Sequence, residues 1–407
     1  MKLLILTQYY PPEVGAPQNR LHELAVRLNM KGVDVEVLTA LPNYPSMVVQ
    51  EAYRNGKNRE EVIDGIKIHR SGIFVSKSKG IVKRLLNYFS FVWTSYWRGK
   101  KLGKFDFLLV ESPPLFLGYS ALRLSRRLKA KMIFNVSDLW PESAEKMEIV
   151  TNRFLLGMAY RLEAKCYRKA TLVSGQTMGI VENINSRFPQ VKAHWLPNGV
   201  DPDFYDPAKV NNSDFRKKNN ISDKDVVFFY GGIIGHAQGL ELLLHAAKKI
   251  GNDEGYTIIL QGAGPVREEL MELKEELGVK RVLFLPPVPK TEMPLILKEV
   301  DVALVPLRKL DLFQGAIPSK IFEALAMEKA LLLGVDGEAR RHFIDKGNAG
   351  LYFEPENVDD LVDKMIRFIH NPLLIAEMGN NGRAYVKQYF NRDKIANEFL
   401  QTLKRIV

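Results

Sequence analysis

Short, unbroken apolar runs alternate with amphipathic stretches along almost the whole chain. In the first half the runs are KLLILT at 2–7, VEVLT at 35–39, FDFLLVE at 105–111, KMIFNV at 131–136 and TLVSG at 171–175. Apolar runs this short, bounded by turn residues, read as strands; the alternating GIKIHR at 65–70 reads as a strand nearer a sheet edge. Helical spacing fills the gaps. Residues 18–31 place Leu21, Leu24, Ala25 and Leu28 on one face and stop at Lys31-Gly32. Further helices are predicted over 80–104, 116–128, 152–169 and 177–187. Repeated strand–loop–helix–strand units predict an α/β fold with a doubly wound parallel sheet.

The pattern breaks once. HWLPNGVDPDFYDP at 194–207 closes a short strand with Pro197, Asn198-Gly199, Pro202 and Pro207, a cluster of turn chemistry. After a charged stretch the units restart, with strands at 226–232, 257–265, 282–288, 301–307, 330–334 and 350–353. Helices are predicted over 240–250, 266–277, 291–298, 319–328, 338–345, 357–370 and 373–388. A length of 407 residues exceeds one ordinary core. The expectation is two Rossmann-like domains, 1–196 and 197–390, facing a cleft where two ligands meet, and a last amphipathic helix, 391–407, packing back on the first domain.

Composition adds little to the fold and something to the partners. The 58 Lys and Arg outnumber the 47 Asp and Glu, a formal net charge of +11. That balance suits nucleic acid, anionic lipid or phosphorylated substrates without choosing among them. The lone Cys166 leaves no internal disulfide, so cytoplasmic residence is expected. The opening LLILT run ends at Gln8-Tyr9-Tyr10-Pro11-Pro12, too short for a signal peptide. No run reaches the ~18–20 apolar residues of a membrane span. Residues 80–104 stand apart, because Tyr88, Phe89, Phe91, Trp93, Tyr96 and Trp97 crowd one predicted helix between clusters of cations. Aromatics with flanking cations suit a lipid headgroup boundary, here Trp93, Trp97, Lys100 and Lys101. A core helix with solvated charged ends is the alternative.

Candidate chemistry lies where strands run into loops. DLFQGAIPSKIFEALAMEKALLL at 311–333 reads as a loop, a short helix and a buried strand. Ser319, Lys320 and Glu323 share one side of that helix near its start, while Ile321, Phe322, Leu325 and Ala326 face a core. Free N–H groups and a cation at a helix mouth suit a phosphate, and a carboxylate suits a diol. Together they suggest a nucleotide sugar. The competing reading is a Ser319 N-cap with a solvated Lys320–Glu323 pair. Upstream, Gly231, Gly232, Gly235 and Gly239 form a glycine-rich turn between a strand and a helix, which suits phosphate oxygens without being a P-loop. In the first half, Gly15-Ala16 precede a helix, and Asp138 follows the 131–136 strand, where open α/β sheets bind ligands. An N-cap or turn role for Asp138 stays open.

These segments, taken in order, resemble family 4 of the retaining GT-B glycosyltransferases. The motifs are YYPPEVGAPQNRL near the start, DLWPES at 138–143, LPNGVD at 196–201, GGIIGHAQGLELLL at 231–244 and IPSKIFEALAMEKALLL at 317–333. The branch they most resemble assembles bacterial O-antigen, capsule and exopolysaccharide and includes N-acetyl-L-fucosamine transferases. The resemblance implies that Glu323 is the second glutamate of an E-x7-E motif and holds the ribose, while Gly315 stands where the first would be. It places Gly15, Ala16, Gly232, Gly235, Gln238 and Gly239 around the donor, with Ser319, Lys320 and Arg308 near its diphosphate. The arginine and lysine that commonly follow the glycine turn are absent. Asp138 takes the acidic place of a His-Asp pair, with Ser137 for the histidine, and is the candidate to accept the acceptor's proton.

What the resemblance implies is a metal-independent retaining transferase with no cofactor beyond its nucleotide-sugar co-substrate, UDP-linked by expectation. An acetamido-deoxyhexose is the suggested sugar, and a polyprenyl-diphosphate-linked glycan at an anionic inner membrane face the suggested acceptor. A nucleotide-sugar 2-epimerase of the same fold is the alternative. A basic nucleic-acid-binding protein is the outsider, with no recognised binding module to support it.

Overall fold

The computed structural model describes residues 1–13, 15–44, 46–77, 80–148, 150–252 and 255–406. The chain divides into two compact units, one made of Met1–Asn198 with Arg392–Val407 and one of Gly199–Asn391.

The first unit is built on strands β1 (Lys2–Leu6), β2 (Asp34–Ala40), β3 (Glu60–Ile63), β4 (Ile66–Ser71), β5 (Phe107–Ser112), β6 (Lys131–Val136), β7 (Leu172–Gly175) and β8 (Ala193–Trp195). Their order is β3-β4-β2-β1-β5-β6-β7-β8. All pairs are parallel except the β3–β4 edge. Chain order reverses between β1 and β5, which places a switch point at their carboxyl ends. The helices are α1 (Ala16–Met30), α2 (Ile81–Gly99), α3 (Leu117–Leu128), α4 (Glu142–Lys146), α5 (Arg153–Lys169) and α6 (Met178–Arg187).

Strand side chains alternate between faces, and here both faces are apolar because helices cover each side. On one face Leu4, Leu6, Leu108 and Val110 pack with Phe91 of α2, Leu124 of α3 and Leu162 of α5. On the other, Leu3, Ile5, Val37 and Leu109 pack with Leu21, Leu24 and Leu28 of α1.

The second unit has six parallel strands, β9 (Val226–Gly231), β10 (Tyr256–Gln261), β11 (Val282–Leu285), β12 (Val302–Pro306), β13 (Ala330–Gly334) and β14 (Gly350–Tyr352). Their order is β11-β10-β9-β12-β13-β14. β9 and β12 pair only through Val302–Phe228 and Ala303–Phe229, so the two strands part toward their carboxyl ends and open a crevice at this switch point. The helices are α7 (Phe215–Lys218), α8 (Glu241–Ile250), α9 (Arg267–Leu277), α10 (Met293–Glu299), α11 (Lys320–Ala326), α12 (Glu338–Arg340), α13 (Val358–Ile369) and α14 (Pro372–Tyr389). The chain then returns to the first unit as α15 (Arg392–Arg405). Its Ile395, Ala396, Phe399, Leu400 and Leu403 complete the apolar layer over α1.

Three local differences separate pattern from structure. β3 emerges from a stretch whose charged Glu60 and Glu61 hide it; both lie on an edge strand, where polar residues are tolerated. The expected 338–345 helix is one α-turn followed by a wider π-helical stretch over Arg341–Lys346. The 80–104 helix stops at Gly99.

Candidate functional site

The glycine turn after β9 is fixed by its neighbour. Gly232 N–H donates to Gln261 O at 2.9 Å, and Ile234 N–H to Ala263 O at 3.0 Å, so the loops after β9 and β10 are hydrogen-bonded together. A Cβ on Gly262 would sit 1.8 Å from Gly232 O, and one on Gly264 would sit 2.1 Å from Ile234 O. The strand expected over 257–265 stops at Gln261, and the Gly262-Ala263-Gly264 at its end forms this second turn. Gly239 is left-handed at φ +58° and ends the first turn, whose Gly235 is buried. Gln238 donates its N–H to Gly235 O at 3.2 Å.

Lys320 comes up beneath that turn. Its Nζ lies 3.4 Å from the centroid of the Tyr230 ring. A Cβ on Gly232 would approach the same Nζ to 3.2 Å, at a φ of +143°. Glycine is required at position 232 by the backbone angle, and any side chain there would also press on the end of the lysine. Burial pushes the Lys320 ammonium down to about 7, with the nearby charge of Glu323 opposing. The Tyr230 π-face stabilises the charged form in part. Among the described residues no hydrogen-bond acceptor or ion-pair partner reaches this ammonium. Lys320 and Glu323 line one cavity with Phe229, Gly231, Met293 and Leu297, at the β9–β12 switch point. A cation and a carboxylate are thus held over an apolar wall, where charge interactions are strong.

The helix mouth differs from expectation. The N–H groups of Ile321 and Phe322 donate to Pro318 O at 3.1 Å and Ser319 O at 3.2 Å. A tight entry turn has used the donors that the sequence suggested were free. Ser319 stands at the cap position but makes no side-chain cap bond. Arg308 is also committed. It donates through Nε to His236 O at 2.8 Å, through one terminal nitrogen to Glu356 at 3.0 Å and through the other to Glu241. In this arrangement its fork braces the glycine turn.

In the first unit, Asp138 follows β6. Ser143 Oγ donates to its Oδ1 at 2.5 Å. Burial holds the Asp138 carboxyl above the usual carboxylate range, against the pull of Ser143 and of the Leu139 N–H. Beside it lies a polar network that the sequence reading missed. Arg20 of α1 donates to Glu111 Oε1 at 2.6 Å and to Ser137 Oγ at 2.8 Å. Asn135 Nδ2 donates to Glu111 Oε2 at 2.6 Å, and Ser174 Oγ to Asn135 Oδ1 at 2.7 Å. The Arg20 and Glu111 side chains are 6% and 3% exposed. The only signal was a polar letter inside each apolar run, Glu111 and Asn135. Gly15 caps α1 in extended backbone, and Ala16 is exposed at the helix start.

Helix α2 has two apolar faces. Phe91 is buried, and the buried Ser95 Oγ donates to Ser120 Oγ at 3.0 Å. The opposite face exposes Val82, Leu86, Phe89, Trp93 and Trp97, the two tryptophans by 66% and 44%. Lys100 Nζ lies 3.3 Å from the Trp97 ring centroid, and Lys101 is exposed. Among the described residues no helix is long and apolar enough to cross a membrane, and no group of three or more His, Cys, Asp or Glu is placed to hold a metal ion.

Comparison with known proteins places the two halves separately. Residues 15–199 match the Glycosyl transferase 4-like domain, and residues 211–385 match Glycosyl transferases group 1. The chain is 22% identical over 424 residues to "Putative colanic acid biosynthesis glycosyl transferase WcaI" of Escherichia coli K12, covering 99% of this chain and 100% of that protein. It is 24% identical over 224 residues to a GDP-mannose-dependent alpha-(1-6)-phosphatidylinositol monomannoside mannosyltransferase of Mycobacterium tuberculosis, over 53% of this chain and 57% of that one. Anabaena Alr3699/HepE, solved in complex with UDP and glucose, superposes with a TM-score of 0.72 at 17% identity, covering 100% of both chains. At that identity the likeness is one of fold. With both halves matched, and with two parallel-sheet α/β units of this topology, the chain belongs to the group 1, 4-like glycosyltransferases of the GT-B fold.

Proposed function

We propose that the protein is a retaining glycosyltransferase of surface polysaccharide assembly, using a nucleotide diphosphate sugar and a lipid-linked glycan acceptor. The observation that carries this reading is the Lys320 ammonium, held under Gly232 beside Glu323 at the β9–β12 switch point. A half-buried cation that no carboxylate reaches by hydrogen bond among the described residues is a strong site for a diphosphate. Glu323 then takes the ribose hydroxyls, and the backbone of the turn from Gly232 to Gly239 lies along the phosphates. As the sugar–phosphate bond breaks, charge grows on the leaving diphosphate and Lys320 stabilises it, so that no metal is required. Asp138, raised above the usual carboxylate range, accepts the proton of the acceptor hydroxyl, which attacks from the leaving-group face. Gly15 and Ala16 leave room for the donor sugar.

A UDP-linked acetamido sugar is our choice of donor. The UDP in the Anabaena relative supports the base, and the GDP-mannose named for the mycobacterial relative is its competitor. The exposed face of α2 seats the protein on an anionic membrane from the cytoplasmic side, with Trp93 and Trp97 in the headgroup layer.

Thermal shift across UDP-, GDP-, ADP- and dTDP-sugars tests the donor. One nucleotide class should stabilise the protein, and Glu323→Ala should remove most of that stabilisation. If Glu323→Ala shifts as the wild type does, the ribose assignment fails. Liposome sedimentation tests the membrane face: a Trp93→Ala/Trp97→Ala double variant should lose most of its binding to anionic vesicles, and equal sedimentation would sink that assignment.

A further inference from the structure

The first unit holds a cavity of about 410 Å³ at the carboxyl ends of β1, β2 and β4. Tyr9 enters it from the loop after β1, Tyr44 from the loop after β2 and Lys77 from the loop after β4; Lys83, Arg84 and Tyr88 come from the first turns of α2. Its floor is built. The buried Gln8 donates to Asn87 Oδ1 at 2.9 Å and to the Tyr9 hydroxyl at 3.3 Å, and Asn87 donates to Phe74 O at 2.6 Å. Tyr44 packs edge-on against Tyr9 with centroids 5.7 Å apart.

The charge of this cavity is one-sided. Three cations line it and no carboxylate does, among the described residues. Four arginines elsewhere in this unit carry a carboxylate partner, Arg20 with Glu111, Arg70 with Glu61, Arg98 with Glu60 and Arg187 with Glu163, and none of these carboxylates faces the cavity. Lys77, Lys83 and Arg84 make no ion pair among the described residues. Three unmatched cations beside three phenols form a donor-rich, acceptor-poor wall, which suits phosphate oxygens.

α2 turns about 100° per residue. Val82, Leu86, Phe89, Trp93 and Trp97, spaced four, three, four and four, therefore share its exposed face. Lys83, Arg84, Asn87 and Tyr88 are rotated away from that face and meet the cavity. One helix thus presents an apolar outer stripe and a cationic inner pocket within its first two turns. That pairing fits an anionic amphiphile, whose chain remains with the stripe in lipid while its headgroup enters the cavity.

We infer that this cavity binds the phosphate or diphosphate headgroup of the lipid-linked acceptor, through Lys77, Lys83 and Arg84 with Tyr9, Tyr44 and Tyr88 around it. The inference rests on the lipid-linked acceptor of the proposed function. It moves headgroup recognition from Lys100 and Lys101, beyond the carboxyl end of α2, to the opposite end of the helix.

Calorimetric titration of the full chain with geranyl diphosphate, inorganic diphosphate and geraniol provides the test. A Lys320→Ala background removes the nucleotide site as a competitor. Geranyl diphosphate should bind, inorganic diphosphate should bind more weakly and geraniol should not bind. Lys83→Ala/Arg84→Ala should weaken geranyl diphosphate at least tenfold. The same double change, made with Lys320 intact, should leave nucleotide-sugar affinity unchanged. Equal geranyl diphosphate affinity in the double variant overturns the site. Equal affinity of geranyl and inorganic diphosphate overturns the lipid and leaves a free-phosphate site. If nucleotide sugars bind and geranyl diphosphate does not, this inference falls and the transferase reading stands. If the wild type binds no nucleotide sugar, it is the transferase reading that falls.

Discussion

The two units place opposite electrostatics at equivalent positions of one topology. In each, the strand order reverses beside the first strand of its sheet. Beside the switch of the first unit, Arg20 and Glu111 form a closed buried pair, with Ser137, Asn135 and Ser174 completing the hydrogen bonds. At the switch of the second, Lys320 rests on an aromatic ring and no acceptor among the described residues reaches its ammonium. A satisfied network has no free valence for a ligand and holds its neighbours still. A half-buried cation without a hydrogen-bonded partner among the described residues is a site in waiting. The fold alone does not separate these roles; the presence or absence of a partner does.

Breaking the closed pair gives the largest effect. Glu111→Ala strands a buried guanidinium and should cost about 3–5 kcal/mol of stability, read from the urea midpoint at unchanged slope. If the loss is below about 1 kcal/mol, the network is not closed as described. Lys320→Ala should do the reverse. Turnover should fall about 10²–10³-fold, equivalent to about 2.7–4 kcal/mol of lost transition-state stabilisation, while the ligand-free protein melts no lower than wild type. A large drop in melting temperature would mean that Lys320 is structural.

The smallest effect is one of pH. Lys320 is lowered to about 7 from 10.5. Between these values the unfolded chain holds a proton that the folded chain has released, so this group adds stability as pH rises from about 7 to 10.5. Donor binding runs the other way, because the diphosphate needs the ammonium. The log of donor affinity should fall with a slope approaching −1 above about pH 7, and Lys320→Arg should flatten that slope, since an arginine stays charged. An unchanged slope in Lys320→Arg would assign the titration to another group.

The contrast also explains what could be read from the chain. Two parallel sheets were legible because their strands are short apolar runs and their helices carry one apolar face. β3 was not, since Glu60 and Glu61 on an edge strand look like loop. Gly232, Lys320 and Glu323 could be placed near one another because each follows the end of a strand. Arg20 and Glu111 are 91 residues apart, and only the crossover from α1 to the end of β5 brings them together. Tyr230 reads as one more core aromatic of VVFFYGG; that its ring supports a lysine depends on the third dimension. Of the free N–H groups expected at the helix mouth, those of Ile321 and Phe322 were lost to a tight turn that periodicity does not encode.

The return of α15 to the first unit sets an order of events in synthesis. Domains generally fold as units, the N-terminal one first as the chain emerges. Here Leu21, Leu24 and Leu28 of α1 wait for Ile395, Phe399 and Leu403, made about 375 residues later. The second unit, Gly199–Asn391, is complete before that helix exists. The unit that begins first is therefore finished last, and until then one apolar layer of its sheet lacks its lid.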